Sequence, residues 1–156
     1  MGIKSYIVNF LKFLKHGGVK YVSVTFTNPD ARYTNKKVFI SGGSEGLGRA
    51  MAKAYLAEGA EVIVTGRSKE KLSNFQLSES NAKLHTLVWD ALDFDSYKQK
   101  FDEAVSMMGR IDIFVNNVGG GMSKYEPWNA YTAEVLDRTY DINTKSMFLM
   151  CQMEGL

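Results

Sequence analysis

The sequence predicts an α/β chain: a doubly wound parallel sheet with helices on both faces, preceded by an N-terminal amphipathic helix and an extended arm. Three observations carry this. From Lys37 onward, four short β-branched runs alternate with helical segments; the runs are apolar throughout, as strands covered on both faces are; and a glycine-rich corner stands where the first run hands over to a helix.

In chain order, Ile3, Tyr6, Ile7, Phe10, Leu11 and Leu14 recur on one helical face, and Gly17-Gly18 stops that helix. YVSVTFT (21–27) alternates Val22, Val24 and Phe26 against Tyr21, Ser23 and Thr25, a strand ended by Asn28-Pro29-Asp30. Residues 1–36 therefore read as an appendage to a domain over 37–156. The domain's strands are VFI (38–40), EVIVT (61–65), HTLVW (85–89) and IDIFVNN (111–117). Between the first two, Leu47, Ala50, Met51 and Ala54 repeat with helical spacing, and Gly59 ends the helix. Ser68 is placed to cap a second helix over 69–75, and Asp93 a third over 94–108. A fourth starts near Thr132 and runs to Leu156.

Bulk composition excludes several classes. With 156 residues, 45% of them hydrophobic, the chain can bury a real core. Nineteen basic and 17 acidic residues give a net charge of +2, too weak a field to indicate a nucleic-acid partner. One cysteine, Cys151, suits a reducing compartment, so a cytoplasmic location is expected. The eight methionines read as core filler and no metal site is expected. No run approaches a membrane span, and Lys12 and Lys15 interrupt what would be a signal peptide. The helix at 3–14 carries Lys4, Lys12 and Lys15 off its apolar face. It can lie peripherally on an anionic membrane, or pack on its own domain or a sister subunit.

The corner is SGGSEGLG, residues 41–48. A turn from the carboxyl end of a strand into a helix offers unpaired N–H groups and the positive end of the helix dipole, which together attract an anion. Gly42 permits the tight turn; Gly46 and Gly48 let a diphosphate and the neighbouring strand approach the backbone, and Ser44 adds a hydroxyl. A glycine-rich turn without a ligand is the plain alternative. The spacing is neither G-x-G-x-x-G nor that of a P-loop, which needs a lysine missing here.

Ser41-Gly42-x-x-x-Gly46-x-Gly48 instead resembles the T-G-x-x-x-G-x-G of the short-chain dehydrogenase/reductase family, with serine for threonine. NNVG (116–119) resembles that family's N-N-A-G, Asp90 its acid after the third strand, and Asn143 in YDINTKSMF the asparagine of its catalytic tetrad. The resemblance covers 37 to about 153 and implies a Rossmann-type domain that binds NAD(P). On it, Ser41, Gly42, Ser44, Glu45, Gly46, Leu47 and Gly48 form the cofactor corner, Asp90 and Ala91 flank the adenine, and Asn117 and Gly119 approach the ribose. Residue by residue, Asp90 can instead cap its own loop, and Asn116 and Asn117 can be turn formers, one bracing strands. Asn143 can bend its helix through a side-chain bond to backbone, the bend that in this family is associated with a catalytic water.

The second strand ends VTGR: no acid stands at Gly66 to accept ribose hydroxyls, and Arg67 can pair with a 2′-phosphate, so NADP(H) is expected over NAD(H). The plain alternative is an arginine paired with a helix acid. The family reduces carbonyls, or oxidises alcohols, with a serine and a Tyr-x-x-x-Lys pair. Here the one Tyr-x-x-x-Lys is Tyr33 to Lys37, ahead of the first strand, and it is set aside. The expected protein is thus the cofactor half of such an enzyme, its sheet incomplete, inactive as it stands, with the fourth strand an unprotected edge. The full-length form is expected to take a small carbonyl or alcohol substrate and to be a homo-oligomer. A non-catalytic NADP-binding regulatory module is the alternative; a methyltransferase is disfavoured, having no use for NNVG.

Overall fold

A computed structural model describes residues 32–121 and 127–153. The expected helix at 3–14 and strand at 21–27 lie outside the described residues. Four strands, β1 (Lys37–Ile40), β2 (Glu61–Gly66), β3 (Leu84–Val88) and β4 (Ile113–Val115), form one parallel sheet in the order β3-β2-β1-β4. Phe39 sits opposite Ile63 on one side and Phe114 on the other. The chain moves outward from β1 to β3 and then returns across β1 to β4. The direction of winding therefore reverses between β1 and β4, and the crevice beyond their carboxyl ends is where open α/β sheets bind ligands.

The period-two alternation of a strand explains why the runs are apolar without interruption. Val38, Ile40, Val62, Val64 and Leu84 face one layer, packing with Ala52 and Leu56 of α1 (Gly46–Ala57) and Leu72 and Phe75 of α2 (Lys69–Glu79). Phe39, Ile63 and Leu87 face the other, against Tyr97, Phe101, Ala104 and Met108 of α3 (Tyr97–Met108). Phe39 is fully buried and stacks on Phe101 with ring centroids 4.9 Å apart, and Phe114 and Trp89 meet it edge-on. Both faces are covered, which parallel sheets require.

Several boundaries differ from expectation. β4 keeps only three residues of the run at 111–117, because the backbone and side chains of Asn116 and Asn117 turn to bonds with the β1 corner and the last helix. The third helix opens as a 3₁₀ turn over Phe94–Ser96, and Asp93 gives it no side-chain cap. The Asp93 carbonyl serves instead, accepting from the Ser96 N–H and hydroxyl. Ser68 does cap α2, accepting from Lys71 N at 3.2 Å, and α2 runs on to Glu79. The fourth helical stretch follows a 3₁₀ turn at Trp128–Ala130. It is α4 (Ala133–Tyr140), a π turn over Asp141–Lys145, and α5 (Ser146–Met153).

At the opposite, amino end of the sheet, the Glu61 carboxylate takes the Lys37 ammonium on one side and His85 Nε2, at 2.8 Å, on the other. Partial burial pushes the Glu61 carboxyl up, but bonds from Lys37 and His85 pull it further down, to a net value below the ordinary glutamate range. Lys37 is therefore committed to Glu61, and Tyr33 packs edge-on against Tyr55 at 4.8 Å. The only Tyr-x-x-x-Lys of the sequence lies at the end of the sheet away from the crevice.

Candidate functional site

A cleft of about 780 Å³, the size of a small-molecule pocket, opens beyond the carboxyl ends of the strands. Its floor is the corner between β1 and α1. Ser41 continues the ladder, its N–H on Val115 O at 3.0 Å, and Gly43 N reaches Thr65 O at 2.8 Å, so the turn is tied to both neighbouring strands. A Cβ on Gly48 would stand 2.3 Å from Gly42 O and 2.7 Å from Asn117 Nδ2; only a bare backbone lets α1 begin this close to the loop. Gly46 answers a different need: its φ is +58° and nothing lies within 4 Å of the Cβ direction, so conformation, not space, selects glycine.

The residue before α1, Glu45, makes no side-chain cap, in contrast to Ser68 at α2. The first N–H groups of α1 thus have no side-chain acceptor among the described residues and stand at the cleft, where Gly42, Ser44, Leu47 and Gly48 are lining residues. These N–H groups fit a diphosphate, needing an acceptor that no side chain among the described residues supplies.

The second wall is the turn after β4. Ser41 is expected at the cofactor, but it is wholly buried and absent from the cleft wall. Its hydroxyl accepts the N–H groups of Asn117 at 2.9 Å and Val118 at 3.1 Å, and so locks this turn to β1. Gly46 likewise sets the bend without lining the cleft. Asn117 does line it, yet its amide Nδ2 donates to Ser41 O and Gly42 O, at 3.1 and 2.9 Å, making it a brace of the corner as well. Asn116 ties the same turn to α5 through Met147 O at 2.9 Å.

Asn143 sits in the π turn. Its Nδ2 donates to Thr139 O four residues back, at 2.8 Å, and to Gly120 O at 2.6 Å, while its Oδ1 accepts from Gly120 N at 3.1 Å. The expected bond to helix backbone is present, and it also fastens the glycine run Gly119–Gly121 to the helix. A Cβ on Gly119 would lie 3.0 Å from Asn143 Oδ1. π turns occur frequently at functional positions.

The third wall follows β2 and β3. Arg67 is exposed, lines the cleft, and has no hydrogen bond or ion pair among the described residues. Asp90 lines it too; its Oδ1 accepts from Leu92 N at 3.0 Å, the loop-capping bond anticipated as its plain role. Ala91 is held by Tyr97, whose hydroxyl donates to Ala91 O at 2.5 Å. Tyr97 is only 3% exposed; burial, with the Asp90 and Asp93 charges adding to it, pushes its phenol up to about 12. A buried neutral phenol contributes stability that is complete below the ordinary tyrosine range and fades as pH rises towards about 12. Tyr97→Phe is expected to cost about 1–2 kcal/mol at neutral pH, through the lost donor to a buried carbonyl, and to flatten that alkaline slope. Urea unfolding between pH 7 and 11.5 checks both.

Sequence reasoning missed Lys71, Thr65, Val135, Arg138 and Thr139, all of which line the cleft. Lys71 binds both oxygens of Glu45, at 2.9 and 2.8 Å, a pairing between segments 26 residues apart that no local pattern announces. Among the described residues no cluster of His, Cys, Asp or Glu has metal-site geometry, and no helix is long and apolar enough to cross a membrane.

A reversed parallel sheet, an uncapped helix start over a glycine corner, and an asparagine-braced turn opposite define a Rossmann-like α/β domain of the dehydrogenase type. The chain belongs to the short-chain dehydrogenase family, whose model matches residues 36–154. It is 35% identical to levodione reductase of Leifsonia aquatica over 127 residues, 79% of this chain and 47% of that protein. To 7alpha-hydroxysteroid dehydrogenase of Bacteroides fragilis it is 31% identical over 124 residues, 78% of this chain and 46% of that protein. A crystal structure of levodione reductase superposes with a TM-score of 0.70 at 33% identity, covering 78% of this chain and 48% of the other. The chain thus spans about half the length of the curated relatives it matches. Those relatives are named as a reductase and a dehydrogenase.

Proposed function

We propose that these 156 residues form the NADP(H)-binding half of an oxidoreductase that transfers hydride between the nicotinamide and a small carbonyl or alcohol. The observation that carries this is the cleft at the winding reversal, with uncapped α1 amides on its floor and, on its rim, an exposed Arg67 that has no partner among the described residues. The diphosphate lies over Gly42 to Gly48 near Ser44, Glu45 and Leu47, the adenosine end runs towards Arg67, Asp90 and Ala91, and the nicotinamide end passes Asn117 and Gly119. The cofactor supplies the hydride; the chain's own residues bind and orient it. Arg67 is the preferred partner of a 2′-phosphate because no carboxylate stands at Gly66 to compete. Asn143 holds its helix and the Gly120 backbone in register at the reacting end. No Tyr-x-x-x-Lys faces this cleft, so the chain alone binds nucleotide without turnover.

Titration of the purified chain with NADPH and NADH tests this. NADPH is expected to bind more tightly, and Arg67→Ala to lower the NADPH-to-NADH affinity ratio about tenfold or more, the loss of a charged hydrogen-bonded contact. Equal affinities untouched by the substitution reject the NADP(H) preference; carbonyl reduction by the 156-residue chain rejects the division of labour.

A further inference from the structure

Asn143 meets the cleft wall through the run Gly119–Gly121, and that run has little order of its own, being three consecutive exposed glycines. Asn143 fastens it at one residue: its Oδ1 accepts from the Gly120 N–H and its Nδ2 donates to Gly120 O. The position of the π turn therefore decides how firmly the run is held.

That turn is itself clasped twice to the segment after β3, which begins with Asp90 and Ala91. On the surface, the Lys145 ammonium lies 4.4 Å from the centre of the Phe94 ring, and its ion-pair partner, Asp141, stands 3.5 Å away at the opposite end of the same turn. Beneath, Phe94 meets Tyr97 edge-on with ring centroids 5.9 Å apart. The Tyr97 hydroxyl, which donates to Ala91 O, stands beside the wholly buried Ser146, and the Ser146 hydroxyl donates to Ile142 O inside the turn. The Asp90–Ala91 wall and the asparagine thus share one joint.

We propose that Lys145 and Phe94 are positioning residues of this joint: filling the adenosine end of the cleft steadies the segment after β3, and their clasp passes that order to the π turn, tightening Asn143 on Gly120 at the nicotinamide end. This rests on the reading that the cleft holds a dinucleotide with its adenosine end at Asp90 and Ala91. Linkage makes the effect reciprocal, so a fastened glycine run favours adenosine binding by the same factor. Neither Lys145 nor Phe94 lines the cleft, and their influence on it runs through the joint.

ADP separates this coupling from direct contact, because it has no nicotinamide riboside to touch Gly119 to Gly121 and no 2′-phosphate. Hydrogen exchange of the Gly120 N–H in the 156-residue chain is the readout. The Lys83 N–H, bonded to Asn81 Oδ1 in a turn at the amino end of the sheet, reports general stabilisation. Saturating ADP is expected to slow exchange at Gly120 about threefold more than at Lys83, the size of one exposed cation–π contact. In Lys145→Met and in Phe94→Leu that excess should vanish with urea midpoints near the parent's, while Lys145→Arg, which keeps a cation over the ring, should retain it. An excess that survives both removals, is lost equally in Lys145→Arg, or is missing from a parent chain that binds ADP overturns the proposal and leaves dinucleotide binding in place. Failure of the unsubstituted chain to bind ADP removes the underlying reading, and the proposal with it.

Discussion

Gly48→Ala is expected to unfold the corner and abolish nucleotide binding, although propensity alone argues the other way. Alanine inside a helix is favoured over glycine by roughly 1 kcal/mol. Against that, the new methyl would stand 2.3 Å from Gly42 O, 2.7 Å from Asn117 Nδ2 and 2.9 Å from Gly43 Cα. Two of these are backbone atoms pinned by the ladder to β2 and β4, so the helix must retreat, opening the close approach between α1 and the Asn117-braced corner. Overpacking of a fixed site costs about 3 kcal/mol, which outweighs the propensity gain. Gly46→Ala is the internal comparison: it meets no atom and is expected to cost only about 1–2 kcal/mol, for the left-handed backbone it must hold. Urea unfolding ranks the two for stability. A Gly48→Ala protein as stable as the parent, binding NADPH undiminished, would show that the corner is not rigid.

Ser41→Ala is expected to be nearly as damaging without any steric change. Its single hydroxyl oxygen accepts from two backbone N–H groups, Asn117 and Val118, at a point fully shut off from solvent. Removing it leaves two buried donors unpaired, at about 1–3 kcal/mol each, for a total of about 2–6 kcal/mol. The loss falls on the joint between β1 and the turn after β4, so nucleotide affinity should drop with stability, even though Ser41 never meets the cleft. Ser41→Thr, which keeps the acceptor, separates hydrogen bonding from side-chain volume. If Ser41→Ala behaves as the parent in urea, the two amides have found other acceptors.

The parts of this fold that were legible in the sequence are those in which local pattern and tertiary demand coincide. VFI and EVIVT are apolar throughout because each alternate residue meets a different helix layer, and they became β1 and β2 with one extra residue each. Ser68 was legible as a cap because the bond it makes is local. The run at 111–117 overstated β4 because hydrophobicity cannot say where a strand's amides leave the ladder; that is decided by Ser41 and Met147, which are distant in the chain. Ser41 itself was assigned to the cleft because motif position places a residue near a ligand without saying which way its side chain points. Lys71 was invisible for a further reason: a lysine on an exposed helix face looks like any other until a carboxylate from 26 residues earlier is seen across from it. The cleft-lining residues of α4, Val135 and Thr139, carry no motif and enter only through packing.

The π turn at Asp141–Lys145 also fixes the rotational phase of everything after it. A wide turn accommodates one residue more than an α turn, and each residue advances a helix by about 100°. α5 is therefore clocked so that Met150 faces inward to the Phe39 layer while Phe148 looks outward. Shortening this segment by a single residue would spin α5 by that same angle, bringing the exposed Cys151 to the sheet in place of the buried Met150. Insertions and deletions here, unlike those in the surface loops, act on the core and the cleft together.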